Sequence, residues 1–150
     1  RDWPLLEGPC DLLLFEGWCV GAKPVPHDLL AQPVNDLERD DDADGIWRDH
    51  WNTHLADETA DLFACIDRLA YLRPPSFEVV HKWRCEQEHG YQAQDGAQRA
   101  AAAMTDEQVA RFIAHYERLT RWIMEEMPGR ADVTIQLDEA RSPVSVSERA

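Results

Sequence analysis

The chain has 150 residues, of which 44% are hydrophobic, and its 29 acidic and 15 basic residues give a net charge of -14 at pH 7. This length predicts one domain with a sizeable core, and the charge disfavours a nucleic-acid backbone or an anionic membrane as partner, because both bind clustered positive charge. No apolar run approaches the roughly 20 residues of a membrane span. Four cysteines without regular spacing are expected as reduced thiols in a cytoplasmic protein.

The first predicted element is a buried strand within Asp11–Trp18 (DLLLFEGW), where four apolar residues stop at Glu16 and Gly17. An apolar run of this length, ended by turn residues, is typical of a strand in a parallel sheet. Ligands bind beyond the carboxyl ends of such strands, so Glu16 is suited to hold Mg²⁺ beside a nucleotide. The alternative is that Glu16 simply begins a loop. Because this strand comes so early, we expect the chain to be a piece of a longer polypeptide.

An acidic run follows a proline-containing loop and extends from Asn35 to Gly45. Such runs usually form solvated loops. The alternative is that Asn35 and Glu38 face the site while Asp44 caps the next helix.

The next helix is predicted from about Gly45 to Ile66. Its histidines His50 and His54 stand four residues apart, but two histidines without a third ligand at a matching position are weak support for a metal site. The apolar residues at helical spacing, which we expect to form a buried stripe, are Trp47, Trp51, Leu55, Leu62, Phe63 and Ile66.

A second strand is predicted at Asp67–Leu72, closed by two prolines, and a helix from about Phe77 to Tyr91 follows it. One edge of that helix carries Arg84, Gln87 and Glu88. Arg84 could reach a phosphate with its planar guanidinium, or it could pair with Glu88 at the i+4 position. Residues 92–103 are predicted to form a soft connector.

The strongest helix pattern extends from about Asp106 to Met127, after a capping-box sequence at Thr105–Gln108. A third strand is predicted at Ala131–Leu137, and residues 138–150 lose periodicity and are expected to be a loop and tail. The predicted fold class is therefore α/β, with a parallel, helix-covered sheet. The helix has one continuous apolar face, formed by Val109, Phe112, Ile113, Tyr116, Leu119, Ile123 and Met127. Its opposite side is basic and carries Arg111, His115, Arg118 and Arg121.

Several segments in order resemble the D-glycerate 3-kinases, which are P-loop kinases related to uridine kinase, phosphoribulokinase and pantothenate kinase. The likeness covers about residues 11–137, and these motifs are specific only when taken together. The segments that carry it are Leu14–Gly21 (LFEGWCVG), Val34–Glu38 (VNDLE), Asp44–Arg48 (DGIWR), Trp83–Glu88 (WRCEQE), His115–Arg121 (HYERLTR) and Met127–Val133 (MPGRADV).

The resemblance implies ATP-dependent phosphorylation of D-glycerate on a P-loop kinase fold, of which residues 1–137 would be the C-terminal part. Glu16 would lie near Mg²⁺ and the phosphates, and Arg84 would belong to a lid helix that closes over the phosphates.

The remaining family positions concern the acceptor and the nucleotide. Gly17 and Trp18 would line the acceptor site, Gln87 would shape the lid helix, and Arg118 would be a second cation near the nucleotide. The other matching positions are Asn35, Glu38 and Arg48, and Arg48 is the best of these for a substrate carboxylate.

The sequence departs from the family because it contains no GxxxxGK[ST] segment. That loop cradles the phosphates, so we expect these 150 residues alone to be inactive and the missing half to lie upstream. The alternative to the missing half is a second chain that covers the sheet. The alternatives are a sister kinase for a nucleoside or another hydroxy acid, and a degenerate, non-catalytic kinase-like module that binds a partner.

Overall fold

The protein contains a mixed three-stranded sheet and helices. A computed structural model describes residues 5, 7–93 and 103–149, without the side chains of 91–93. The strand order is β1-β2-β3, with β1 parallel and β3 antiparallel to β2. In chain order the described elements are α1 (His27–Leu30), α2 (Asp36–Asp41), α3 (Ile46–Ala56), α4 (Glu58–Ala64), β1 (Ala70–Arg73), α5 (Glu78–Ala93), α6 (Asp106–Ala114), α7 (Glu117–Glu126), a 3₁₀ turn (Met127–Gly129), β2 (Val133–Leu137) and β3 (Pro143–Glu148).

The two later strand predictions are confirmed, and their parallel pairing is set by the register Tyr71↔Thr134. The prediction of an irregular tail is wrong, because β3 lies within it and makes the sheet mixed. Its alternating Val144 and Val146 form one face of a strand whose other face is polar. The predicted connector falls at residues 92–103, of which 94–102 lie outside the described residues.

The predicted strand in Asp11–Trp18 is not formed, which corrects the first sequence prediction. Leu12, Leu13 and Leu14 are more than 80% exposed, and no strand among the described residues pairs with them. A strand needs hydrogen-bonding partners for its backbone, and β1 pairs only with β2. The apolar run indicated a buried strand. Such a strand also needs a neighbouring strand, and none of the described strands lies beside this segment.

The predicted long helix 45–66 is two helices, because the backbone of Asp57 (φ -102°, ψ -103°) leaves the helical region. Leu55 and Phe63 pack against the main core, whereas Trp47 and Trp51 are exposed, so the expected continuous stripe is wrong. Because the chain breaks at Asp57, the residues of the predicted apolar stripe are divided between α3 and α4.

The long C-terminal helix is also divided, at His115 and Tyr116, between α6 and α7. Its predicted capping box is confirmed, since Thr105 accepts from the amide of Gln108 and the Gln108 side chain accepts from the amide of Thr105. The division lets one apolar face serve two clusters. The first contains Ala22, Tyr71, Ile123, Met127 and Ala131, and the second contains Cys85, Val109 and Ile113.

The sheet is packed on one face and open on the other. Tyr71 of β1 is buried in the first cluster, whereas its neighbour Leu72 is 60% exposed. Leu72 pairs with Ile135, which pairs with Val146, itself 61% exposed, so an apolar row crosses all three strands on the open face. The prediction of a helix-covered parallel sheet is therefore met on one side only.

Candidate functional site

Glu16 and Gly17 lie at the end of the exposed segment, directly before a turn in which the amide of Val20 donates to the carbonyl of Gly17 at 3.4 Å. Both residues are exposed. A single carboxylate of this kind is a suitable Mg²⁺ ligand, because Mg²⁺ is usually held by one or two carboxylates together with water and phosphate oxygens. The predicted metal role of Glu16 stays a prediction.

Trp18 is anchored on α7 and on the residue before it. Its indole stacks on the ring of Tyr116, with centroids 5.0 Å apart and planes at 14°, and its Nε1–H donates to Oγ1 of Thr120 at 3.0 Å. Thr120 is buried. The stack and the hydrogen bond together fix one face of Trp18, while 42% of the residue stays exposed.

The rings continue from Trp18 toward α5. Tyr116 contacts Phe112 with centroids 5.1 Å apart, and the Arg84 guanidinium lies 5.3 Å from the Phe112 ring centroid. We call Trp18, Tyr116 and Phe112 the aromatic row. It brings the predicted acceptor residue Trp18 and the predicted phosphate residue Arg84 into one contact chain. Sequence analysis missed Tyr116 and Phe112, although their i, i+4 spacing and aromatic character were the available signal.

Arg84 pairs with Glu88 at 2.6 Å and donates to Oε1 of Gln87 at 2.8 Å. Glu88 is 4% exposed and also accepts from the amide of Met104 at 3.0 Å, which joins α5 to the residues before α6. The intrahelical pair that sequence analysis gave as the alternative is thus present. The Arg84 Nε atom is buried and has no acceptor among the described residues. A phosphate role for Arg84 stays a prediction, as does a lid role for Gln87.

Asn35, Glu38 and Arg118 are brought together, and their contacts join α2 to α7. Asn35 caps α2 by accepting from the amide of Glu38 at 3.0 Å, and its Nδ2 donates to Glu117 at 3.0 Å. Glu38 pairs with Arg118 at 2.5 Å, and both side chains are almost buried. The expectation of a loop is therefore wrong for α2, which is a helix, and Glu38 is packed against an arginine. The expected solvation is met by the other acidic residues of the run that are exposed, Asp36, Asp40, Asp41 and Asp44.

The Arg118 guanidinium has further partners, since it also donates to the carbonyls of Leu29 and Gln32. These contacts give Arg118 a structural role, because they connect α7 to α1, to α2 and to the loop between them. The prediction that Arg118 contacts a nucleotide, and that Asn35 and Glu38 contact a substrate, stays a prediction.

Arg48, at the start of α3, makes a similar set of structural contacts. It pairs with Asp42 at 3.1 Å and donates to the carbonyl of Leu30 at 2.7 Å. Asp42 also accepts from the amides of Trp47 and Arg48, so Asp42 and not Asp44 caps the helix. Gly45 has a positive φ of 73° and lies against the Arg48 guanidinium, 3.1 Å from where a Cβ would stand. The substrate-carboxylate role of Arg48 stays a prediction.

The paired histidines have a local role. The rings of His50 and His54 make an edge contact with centroids 4.5 Å apart. Within residues 5, 7–93 and 103–149 no three His, Cys, Asp or Glu side chains are grouped as a metal site. Across the same residues no helix is long and apolar enough to cross a membrane.

A cleft of about 460 Å³ lies at the amino ends of β1 and β2, away from the aromatic row. Arg130 lines it and is held by Glu126 at 2.5 Å. Asp132 also lines it and accepts from the amide of Leu69 at 2.8 Å, and this hydrogen bond, followed by those of Arg68, lowers the pKa of its carboxyl. The cleft contains none of the predicted site residues.

Two further pKa shifts arise from burial near the first core cluster. Desolvation raises the pKa of the Cys19 thiol to about 11 and that of Tyr71 to about 12. Cys19 is thus kept as a neutral thiol, in line with the free state of all four cysteines.

Comparison with known proteins supports the likeness seen in the motifs. The chain is 30% identical over 95% of its length to "D-glycerate 3-kinase, chloroplastic" of Arabidopsis thaliana, and 29% identical over 88% of its length to the uncharacterized kinase mug58 of Schizosaccharomyces pombe. It covers 29% and 47% of these two proteins, which is less than half of either. No family model matches the chain.

A solved structure shares the fold. The D-glycerate 3-kinase from Cryptococcus neoformans var. grubii serotype A superposes with a TM-score of 0.71 at 24% identity, over 96% of this chain and 51% of that one. The predicted resemblance to the D-glycerate 3-kinases is therefore confirmed, and the chain corresponds to about half of that solved kinase.

Proposed function

We propose that this chain is the C-terminal part of a P-loop kinase domain that transfers the γ-phosphoryl group of ATP, with Mg²⁺, to D-glycerate. The observation that carries the proposal is the 30% identity to the plant D-glycerate 3-kinase over nearly the whole chain. The aromatic row adds support, because it links the two predicted regions of the site, the Trp18 turn and Arg84 on α5.

The proposed roles follow from charge and position. Glu16 would hold Mg²⁺ directly or through water, and Arg84 would bring its guanidinium to the phosphates, where it would neutralise the negative charge on their oxygens. Because Arg84 pairs with Glu88 in this structure, a phosphate must compete with that carboxylate. The exposed face of Trp18 would line the acceptor site beside Gly17.

Residues outside this sequence must supply the phosphate loop. Phosphoryl transfer depends on positioning and charge stabilisation, and these 150 residues contain no GxxxxGK[ST] segment. We therefore expect no ATPase activity above background from residues 1–150 alone, measured as ADP release. Turnover by this chain would show that the phosphate site lies elsewhere.

The test of the proposed roles uses the full-length protein and ATP-dependent phosphorylation of D-glycerate. Glu16→Gln and Arg84→Ala are each expected to lower the rate on the order of 10²-fold. The first would weaken the hold on the Mg²⁺ ion that neutralises the phosphates, and the second would remove a cation beside them. The matched controls are Glu7→Gln, an exposed carboxylate on the same segment, and Arg111→Ala, an arginine in an exposed pair with Asp41. Ordinary turnover in Glu16→Gln would remove the metal role.

A second candidate is a non-catalytic module that binds a partner, and the open sheet face with the exposed Leu12–Phe15 segment favours it. The coding sequence upstream of Arg1 distinguishes the two. A phosphate loop within the preceding ~150 residues, about one domain's length, supports the kinase, and an initiator methionine just before Arg1 supports the module. A sister kinase would phosphorylate a nucleoside or another hydroxy acid in place of D-glycerate.

A further inference from the structure

We infer that Tyr116 and Thr120 are positioning residues that fix the Trp18 side chain in the acceptor site, and that the aromatic row couples this site to Arg84. The inference rests on the proposed function for the meaning of the site. The contacts themselves, a ring stack and a hydrogen bond at 3.0 Å, are features of the structure.

Two independent contacts determine the orientation of the indole. The near-parallel stack on Tyr116, with an interplanar angle of 14°, fixes the plane of the ring. The hydrogen bond from Nε1 to Thr120 fixes the rotation of the ring within that plane. Because Trp18 follows a glycine in an exposed turn, these contacts and not the local backbone decide where its open face points.

The residues that contact Trp18 belong to α7 and its N-cap. Thr120 is 4% exposed, and Tyr116 is the N-cap residue of α7. The Tyr116 carbonyl accepts from the Thr120 amide at 2.8 Å, so the two residues that hold Trp18 are themselves joined through the helix backbone. A substrate bound against Trp18 would therefore be placed relative to α7.

The same junction reaches the phosphate side. Phe112 contacts both the Tyr116 ring and the Arg84 guanidinium, so the rings of Tyr116 and Phe112 connect Trp18 to Arg84. A cation over an aromatic ring is attracted to its face, and a ring shift at Tyr116 would change that contact. Acceptor placement and the position of Arg84 are thus mechanically connected across three segments of the chain.

The experiments measure the solvent exposure of Trp18 and the catalytic rate separately, both in the full-length protein. Trp18 emission is obtained by subtracting the spectrum of Trp18→Phe, in the parent and in the Tyr116→Ala background, and its quenching by acrylamide is measured. Loss of the stack is expected to increase quenching of Trp18. Unchanged quenching in Tyr116→Ala would overturn the inference, because Tyr116 would then not cover the indole.

Steady-state kinetics test the positioning role. Tyr116→Ala is expected to raise KM for the acceptor by about tenfold or more, since misplacing a substrate contact by an ångström is costly. KM for ATP is expected to stay within about twofold, because Arg84 is proposed to stabilise the phosphoryl group during transfer, so that its displacement would lower kcat. Thr120→Val should act in the same direction. Tyr116→Phe and Thr120→Ser keep the ring and the hydroxyl and should restore the parent values. Equal effects on both KM values, or no rescue by Phe and Ser, would indicate a structural role and overturn the inference.

The connection to Arg84 is tested by a double-mutant cycle of Tyr116→Ala and Arg84→Ala. Coupled groups are expected to depart from the product of the single effects on kcat/KM by at least about threefold. A multiplicative result would overturn the coupling. If the parent protein fails to phosphorylate D-glycerate, the proposed function fails. The inference is then decided by acrylamide quenching alone, and increased quenching of Trp18 in Tyr116→Ala supports it.

Discussion

At the scale of single residues, Asp132 shows how one carboxylate fixes the start of the sheet. It accepts from the amide of Leu69 at 2.8 Å and from Arg68 at 3.1 Å, and Arg149 lies 3.7 Å away. The amide of Asp132 in turn donates to the carbonyl of Leu69 at 2.9 Å. These contacts join the residue before β1 to the residue before β2, and they favour the charged carboxylate.

We predict that Asp132→Asn destabilises the protein at pH 7 and does so less in acid. The Leu69 amide and the nearby arginines lower the pKa of the folded-state carboxyl. The stabilisation is therefore complete above the unfolded-state pKa, about 3.9, and is lost as pH falls through the lower folded-state value. Urea unfolding of both proteins at pH 7 and near pH 3 should show the difference shrinking. Asp67→Asn, on the same cleft, is the control, and a gap between Asp132→Asn and the parent that is independent of pH would contradict the prediction.

At the scale of elements, the acidic run and the basic side of the C-terminal helices form one interface. Glu38 pairs with Arg118, and Asp41 pairs with Arg111 at 2.7 Å. The two pairs differ in burial, since the Glu38 and Arg118 side chains are 12% and 10% exposed whereas both partners of the second pair are mostly exposed. Loss of the first pair is therefore expected to cost more stability, because the remaining unpaired charge would be buried away from water.

We predict that Arg118→Met lowers the free energy of unfolding by about 3 kcal/mol, because it leaves Glu38 buried without its partner. The exposed control Arg111→Met should change it by less than about 1 kcal/mol. Adding Glu38→Gln to Arg118→Met should recover part of the loss, since the stranded charge is removed. Denaturant unfolding measures all three, and equal effects of the two arginine variants would contradict the structural role of the buried pair.

The sequence predicted the elements whose signals are local. The capping box at Thr105, the helix that contains Arg84 and the strand that ends before Pro74 all depend on near neighbours in the chain, and the structure has them. The helix in the acidic run was not predicted from the sequence, although Asn35 at its N-cap was a local signal. The remaining support of α2 is distant, because Arg111 and Arg118 lie about 70 to 80 residues away. Helical periodicity likewise continued through Asp57, where the backbone breaks.

The candidate site was predictable as residues and not as contacts. Trp18 and Arg84 were identified from motifs, yet the rings that join them, Tyr116 and Phe112, were assigned to an apolar helix face. A helix pattern shows which residues share a side, and it does not show which other segment packs there. Arg118 shows the opposite case. Its charge suggested a ligand-binding role, but the structure shows it paired with Glu38.

At the scale of the whole molecule, two apolar surfaces lack a cover among the described residues. One is the open sheet face with Leu72 and Val146, and the other is the Leu12–Phe15 segment. Parallel strands are normally buried on both faces, and an exposed apolar run of this kind is uncommon in a folded domain. The chain also matches only 51% of the solved kinase that it resembles. If the proposed function holds and the chain is part of a larger kinase domain, these surfaces are expected to be covered there, with Leu12–Phe15 paired as a strand.

We predict that the amides of Leu12, Leu13 and Leu14 exchange hydrogen rapidly in residues 1–150 alone and slowly in the full-length protein. In the described structure these residues are exposed and pair with no strand, whereas a strand within a larger sheet would bond their backbone groups. Thr134 and Ile135 of β2, which is paired on both sides, are the internal control and should be protected in both proteins. Hydrogen exchange followed by mass spectrometry makes the comparison. Rapid exchange at Leu13 in the full-length protein would mean that the segment is not a strand there, and the motif that ends at Glu16 would then have to act from a loop.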